Sequence, residues 1–208
     1  MNLDYQDMLA YALETLTKNE GIKSAKPQLF FRNRYEHIVR VYGWAKRILP
    51  GVQNCLADVV LTAAIFHDIG YRDFHGNNHA ELGKELFQEY AAAHQLECGF
   101  TKQVSDLILM HSNKALLRNP ETPIELVVLM EADLLDEEGA LGIVFDLLAE
   151  GYKKPESYTS VFQEIMLHSA HILEQNYMVT PLAKKYWEEK KTFIEKFIKD
   201  LKFDLFME

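Results

Sequence analysis

Residues 55–66, CLADVVLTAAIF, are apolar on nearly every face that a helix could present. A helix that is hydrophobic all round is buried, so this segment predicts a central helix enclosed by other elements. We expect the helix to span residues 55–68, with Asn54 as its N-cap and Gly70 just beyond its end. Its last two residues are His67 and Asp68. The segment therefore places two polar side chains where the interior of the protein is expected.

The rest of the chain has apolar residues at helical spacing and little of the alternation that is typical of strands. Further helices are predicted at residues 3–18, 34–49, 78–93, 101–113, 123–136, 138–150 and 158–176, and from Pro181 to near the end of the chain. We therefore predict an all-α fold in which residues 1–208 form a single helical domain.

Composition and charge exclude several classes of protein. The net charge of −9 argues against generic binding to nucleic acids or to anionic membranes. No apolar run reaches the ~18 residues of a membrane span, and the first residues do not resemble a signal peptide. Cys55 and Cys98 lack the CxxC spacing of a thiolate metal site. We expect a cytoplasmic protein, either a monomer or a homodimer.

Five polar side chains lie at or near the ends of apolar helical turns, namely His37, His67, His79, His111 and Asp133. Each could point into a shared interior. A buried, unpaired carboxylate costs several kcal/mol, so Asp133 within VVLMEADLL predicts a nearby cation or strong donor. From the spacing alone two interpretations stay open. One is a metal site, and the other is a set of hydrogen-bonded core histidines with an aspartate that caps a helix.

The order of these residues resembles the signature of the HD-domain superfamily of metal-dependent phosphohydrolases. The strings HIVRVYGWAKRI, LTAAIFHDIGY, HAELGKELFQEY and LMEADLLDEEG are similar to successive helices of that family. The resemblance covers about residues 30–150. It implies that these residues form a metal-binding core in an HD-type helical bundle, to which an N-terminal helix and a C-terminal helical extension at 156–208 are added.

The resemblance also implies a set of ligands. His37, His67, Asp68 and Asp133 would bind one divalent ion, and Asp68 would be the catalytic residue. In the branches with two ions, His79 and His111 would hold the second and Asp68 would bridge the pair. Imidazole and carboxylate ligands favour iron or manganese and also suit zinc, cobalt or nickel. Hydroxide on the metal would then attack phosphorus.

The predicted substrate is a small phosphorylated molecule, with a nucleotide as the first candidate. Arg72, which follows the metal loop, and Lys114, three residues past His111, are candidate phosphate contacts, with ordinary surface charge as the alternative. Two other functions stay open. One is a di-iron oxygenase of the same superfamily, and the other is a metal-stabilised sensor or interaction module without catalysis, whose long C-terminal helix would bind a partner.

Residue 71 departs from two branches of the family. Cyclic-dinucleotide phosphodiesterases carry lysine at this position and nucleoside-monophosphate phosphatases carry glutamate, whereas this chain has Tyr71. We therefore expect neither activity, and the order of ligands is nearer to the branch that cleaves dinucleoside polyphosphates. Three further acids, Asp73, Asp136 and Glu137, are candidates for carboxylates that hold the ligands in place.

Overall fold

The computed structural model describes residues 3–24, 26, 29–72, 78–154 and 157–207. These residues form the α-helices α1 Tyr5–Lys18, α2 Arg34–Ile48, α3 Ala57–Phe66, α4 His79–Ala93, α5 Cys98–Met110, α6 Ile124–Glu137, α7 Ala140–Tyr152, α8 Tyr158–Leu167 and α9 Pro181–Phe206. Over the described ranges the only β-pairing is an isolated bridge between Lys23 and Asn33. The prediction of an all-α fold is confirmed.

Helix α3 lies at the centre of the bundle, as its apolar sequence predicts. It packs against α1, α2, α4, α5 and α6, and most of its side chains are buried. Phe66, at its end, meets the ring of Phe87 edge to face at 5.0 Å between centroids. Burial on all sides fixes both the position and the rotation of the helix, and therefore the direction of the residues that follow it.

The start of α3 differs from the prediction. Asn54 has a left-handed backbone (φ 55°) and is not the N-cap. The helix begins at Ala57, and the N–H of Leu56, which precedes it, donates to the Glu125 carboxylate at the beginning of α6 (2.9 Å). A side chain from another helix thus satisfies the donor that a local cap was expected to serve.

Gly70 brings the end of α3 against the start of α4. A Cβ at residue 70 would lie 2.0 Å from the backbone oxygen of His79, so no other residue fits without moving one of the two segments. This approach places the His67–Asp68 pair beside the first turn of α4.

The C-terminal helices pack onto the bundle through buried polar contacts. Thr180, at the start of α9, donates two hydrogen bonds to the Glu131 carboxylate on α6, one from its N–H (2.8 Å) and one from its hydroxyl (2.6 Å).

The single helix predicted for 158–176 is interrupted, because α8 ends at Leu167 and a short 3-10 helix spans Ser169–Leu173. The Asp146 carboxylate accepts from the N–H of Ser169 at 3.1 Å, and this tertiary bond replaces a continued helix. No described helix is both long enough and apolar enough to cross a membrane.

Candidate metal centre

Six side chains from five parts of the chain meet where α3 and α5 end and α4 begins. His67 directly follows α3, His111 directly follows α5, and His79 is the first residue of α4. Asp68 follows His67 in the same turn, and the other two residues lie on α2 and α6, which pack against α3. The six residues are His37, His67, Asp68, His79, His111 and Asp133. The fold thus brings together every residue that the sequence predicts as a ligand.

Three of these residues form what we call the first half-site: His37, His67 and Asp133. The Nε2 atom of His37 lies 3.3 Å from Nε2 of His67 and 3.2 Å from Oδ1 of Asp133. The Nε2 atom of His67 lies 3.9 Å from the same Asp133 oxygen. These donor atoms are close enough to surround a single metal ion.

His79 and His111 form the second half-site, and Asp68 lies between the two. The Nε2 atoms of His79 and His111 are 3.3 Å apart, and Oδ1 of Asp68 lies 3.6 Å and 3.4 Å from them, respectively. The other oxygen of Asp68, Oδ2, lies 3.5 Å from Nε2 of His37 and 3.7 Å from Nε2 of His67. The two oxygens of this carboxylate therefore face different half-sites, as a bridging ligand requires.

The histidine rings are oriented through their other nitrogen. Nδ1 of His67 donates to the backbone oxygen of Ala64 (2.9 Å) and Nδ1 of His111 donates to that of Ile108 (2.6 Å). A carbonyl oxygen only accepts, so each Nδ1 carries a proton and each ring turns Nε2, the nitrogen whose lone pair can bind a metal, into the cluster. Lone pairs that converge with carboxylate oxygens fit a divalent cation.

Both carboxylates of the cluster are held in the charged form. Burial alone would raise the pKa of Asp68, but the neighbouring His67 and the Arg34 guanidinium outweigh it and hold that pKa well below its usual range. Burial alone would also raise the pKa of Asp133, but the Lys114 ammonium holds that pKa well below its usual value. Charged carboxylates are the form that binds a metal ion.

The two histidines of the first half-site differ in charge. Burial lowers the pKa of His67 to about 4, so that its ring is neutral at physiological pH. Burial would lower the pKa of His37 as well, but hydrogen bonds with Asp133 and Asp136 raise it to about 9. The Asp136 carboxylate accepts a hydrogen bond from Nδ1 of His37 at 2.7 Å, and it accepts another from the Arg40 guanidinium. Asp136 thus orients His37, as the sequence suggested it could.

Arg34 is a residue of the site that the sequence analysis missed. Its Nη1 donates to Oδ2 of Asp68 at 2.6 Å, and its guanidinium lies 3.8 Å from the centroid of the Tyr71 ring. The Tyr71 ring in turn stacks on the His79 imidazole, 4.4 Å between centroids and 19° between planes. The available signal was the position of Arg34 three residues before His37, which puts both side chains on one face of α2.

The predicted phosphate contacts differ in their placement. Lys114 lies in the site, where its Nζ donates to Oδ2 of Asp133 and to the backbone oxygen of His111. Arg72 is exposed, and it makes no ion pair with the site carboxylates in the part of the chain that the structure describes. Glu137 pairs with Arg32 at the surface instead of holding a ligand. Asp73 lies outside the described residues.

A cavity of about 480 Å³ lies behind His37. Its wall includes His37, Asp136 and Arg40, together with the aromatic rings of Phe31 and Phe145. These two rings meet edge to face at 5.5 Å between centroids. The cavity thus combines aromatic surface with charged groups that also orient a residue of the first half-site.

Solved structures share this fold. An HD-superfamily hydrolase from Bacillus thuringiensis has a TM-score of 0.71 and 18% identity, covering 97% of this chain and 96% of its own. The Lin1889 protein from Listeria innocua has a TM-score of 0.64 and 18% identity, covering 98% of both chains. Bacillus subtilis YpgQ in complex with ADP has a TM-score of 0.60 and 22% identity, covering 93% of this chain and 97% of its own. No curated protein matches the sequence.

The HD domain family model matches residues 34–138. This range covers half of the chain, begins with the first residue of α2, ends just after α6, and contains all six clustered side chains. The family match and the shared fold agree with the resemblance seen in the sequence. The chain belongs to the HD domain family.

Proposed function

We propose that the protein is a metal-dependent phosphohydrolase that acts on a small phosphorylated molecule, with a nucleotide as the first candidate. The observation that carries the proposal is the Asp68 carboxylate, whose two oxygens face two different pairs of histidine Nε2 atoms at 3.4–3.7 Å. Two metal ions that share a carboxylate form a common arrangement for displacement at phosphorus.

Asp68 would contribute to both metal sites. With the first half-site it would hold one divalent ion, and with the second half-site another. Such an ion would make hydroxide available near neutral pH to attack phosphorus and would neutralise phosphoryl oxygens. Nitrogen and oxygen donors without thiolate favour iron or manganese and also suit zinc, cobalt or nickel.

The side chains of the protein provide orientation and charge. The Nε2 atoms of His67 and His111 point in fixed directions because backbone carbonyls hold the Nδ1 atoms of both rings. We assign Asp68 the central catalytic role because its stable form is charged and contacts both half-sites. Lys114, at the edge of the cluster, is the first proposed contact for a phosphate group, and the exposed Arg72 is the second.

Two observations support a nucleotide as substrate. The cavity of about 480 Å³ beside the site is within the usual size of small-molecule pockets. Phe31 and Phe145 provide aromatic faces in its wall, on which a planar base could pack. The ADP bound to the structurally similar YpgQ makes ADP a direct first compound to test.

The test combines metal analysis with product analysis. Protein purified anaerobically without chelators would be analysed for metal per chain and then incubated with ADP, nucleoside triphosphates, dinucleoside polyphosphates and a simple phosphomonoester. We expect metal-dependent release of phosphate or pyrophosphate that is lost in His67→Ala. Oxygen consumption without phosphate release would instead indicate the oxygenase alternative. Bound metal without either reaction would indicate a metal-stabilised module without catalysis.

A further inference from the structure

Tyr71 joins two residues that contact opposite oxygens of Asp68. The guanidinium of Arg34, which binds Oδ2, lies 3.8 Å from the Tyr71 ring centroid, and the imidazole of His79, which faces Oδ1, stacks on the same ring at 4.4 Å. The four residues therefore form a closed circuit of contacts around the carboxylate. None of the roles proposed above uses Tyr71.

The backbone of Tyr71 is fixed as well as its ring. A Cβ at Gly21 would lie 2.0 Å from the Tyr71 carbonyl oxygen, so the connection after α1 packs tightly against this residue. The Tyr71 N–H bonds to the Asp68 carbonyl at 3.3 Å. Its side chain is partly buried, and burial raises the pKa of the phenol, so the ring stays uncharged beside Asp68. A fixed, planar and neutral ring is suited to orienting an imidazole.

We propose that Tyr71 is a positioning residue for the second half-site, and that its ring orients the His79 imidazole towards Asp68. This inference rests on the proposed function, because it assumes that His79, His111 and Asp68 bind an ion. It extends that proposal, because the affinity for the second ion would then depend on Tyr71, a side chain that has no metal-binding atom in the cluster. The planar ring, not the hydroxyl, is the required part, because both stacking contacts are made to the ring.

The experiment measures metal binding in two variants of residue 71. Mn²⁺ alone is titrated into chelator-treated protein in competition with a chelator of known affinity, and electron paramagnetic resonance distinguishes isolated ions from spin-coupled pairs. In Tyr71→Leu we expect the second binding step to weaken by about 10- to 100-fold, the usual effect of removing a group that orients a ligand. The coupled signal should disappear while the first step changes by less than about three-fold. Tyr71→Phe keeps the ring and should bind like the wild type.

Two further variants separate positioning from packing. Tyr71→Met keeps a long apolar side chain but has no planar ring. It takes the place of Tyr71→Leu if Tyr71→Leu does not fold. Tyr42→Leu removes another partly buried tyrosine that lies beside a cation, Lys46, at 5.4 Å, and it should leave both binding steps unchanged. Circular dichroism confirms the helical fold of each variant.

The outcomes distinguish this inference from the proposed function. If the wild type binds two ions and Tyr71→Leu and Tyr71→Met do so with equal affinity, the role of Tyr71 is refuted and the proposed function stands. Equal weakening of both steps would also refute it, because the effect would then not be specific to the second half-site. A wild type that binds one ion refutes this inference and the shared role of Asp68, while metal-dependent hydrolysis is still decided by turnover. A wild type that binds no ion refutes both the inference and the proposed function.

Discussion

The two half-sites use the same kinds of donor but are built differently. In the first, His37 and His67 are fully enclosed, and their Nδ1 atoms are fixed by hydrogen bonds to the Asp136 carboxylate and the Ala64 carbonyl. In the second, the His79 side chain is 15% exposed and stacks on Tyr71 at the edge of the site. The attraction between a ligand and a metal ion is stronger in a dry interior than beside solvent, because the local dielectric constant is lower. We therefore expect the first half-site to hold its ion more tightly.

Removing the shared carboxylate should have the largest effect. Asp68→Ala takes away the oxygens that face both half-sites, so we expect loss of both ions and of hydrolysis, with the helical circular dichroism signal largely retained. Metal content and turnover are measured beside Asp106→Ala, which removes an exposed aspartate paired with Lys102. If one ion remained with wild-type affinity, Asp68 would serve a single half-site and the bridging arrangement would be wrong.

Disturbing the support of His37 should affect the first half-site alone. Asp136→Asn keeps the shape of the side chain but removes the charge that accepts from Nδ1 of His37. We expect metal affinity at the first half-site to fall by about 10- to 100-fold and that at the second to change little. Glu137→Gln is the matched control, because this adjacent acid pairs with Arg32 and not with a ligand. An equal effect of the two substitutions, measured by chelator competition, would contradict the orienting role of Asp136.

The first half-site should also respond to pH through His37. Its pKa of about 9 lies above neutrality, so an incoming ion must displace a proton there. Metal affinity at the first half-site should therefore rise by about ten-fold per pH unit from pH 7 towards 9 and then level off. His67, with a pKa of about 4, contributes no proton in this range. Calorimetry in buffers of different ionisation enthalpy measures the proton released, and binding at pH 7.5 without proton release would exclude this interpretation.

The smallest effect should come from loosening the C-terminal helix. Thr180→Val removes the hydroxyl that donates to the buried Glu131, so the free energy of unfolding should fall by about 1–3 kcal/mol. Metal affinity at both half-sites should stay unchanged. Thr192→Val serves as the control, because its hydroxyl bonds to a backbone oxygen of its own helix near the surface. A change in affinity at the first half-site would show that the anchoring of α9 also positions Asp133, two residues from Glu131.

The sequence predicted the helical fold from local patterns, and it predicted the membership of the cluster from those patterns together with the resemblance to the HD-domain superfamily. The apolar run of α3 requires burial, and His67 and Asp68 follow it directly. The features that the sequence did not predict depend on contacts between distant segments. The break after α8 arises from Asp146, and the support of Leu56 comes from Glu125, each far away in sequence. Arg34 looked like an ordinary basic residue in a first helical turn, because its partners Asp68 and Tyr71 belong to another segment.

The close approach at Gly70 has a consequence for redesign. The side chain of this residue is a single hydrogen atom, and this allows the first turn of α4 to come close to the end of α3. The first turn of α4 carries His79, and His67 and Asp68 directly follow α3. A methyl group at position 70 would push the two segments apart while leaving all six donor side chains in the chain. The spacing of the two half-sites is therefore encoded at a position that has no donor atom. A version of this protein that takes up one ion could be made there without replacing a ligand.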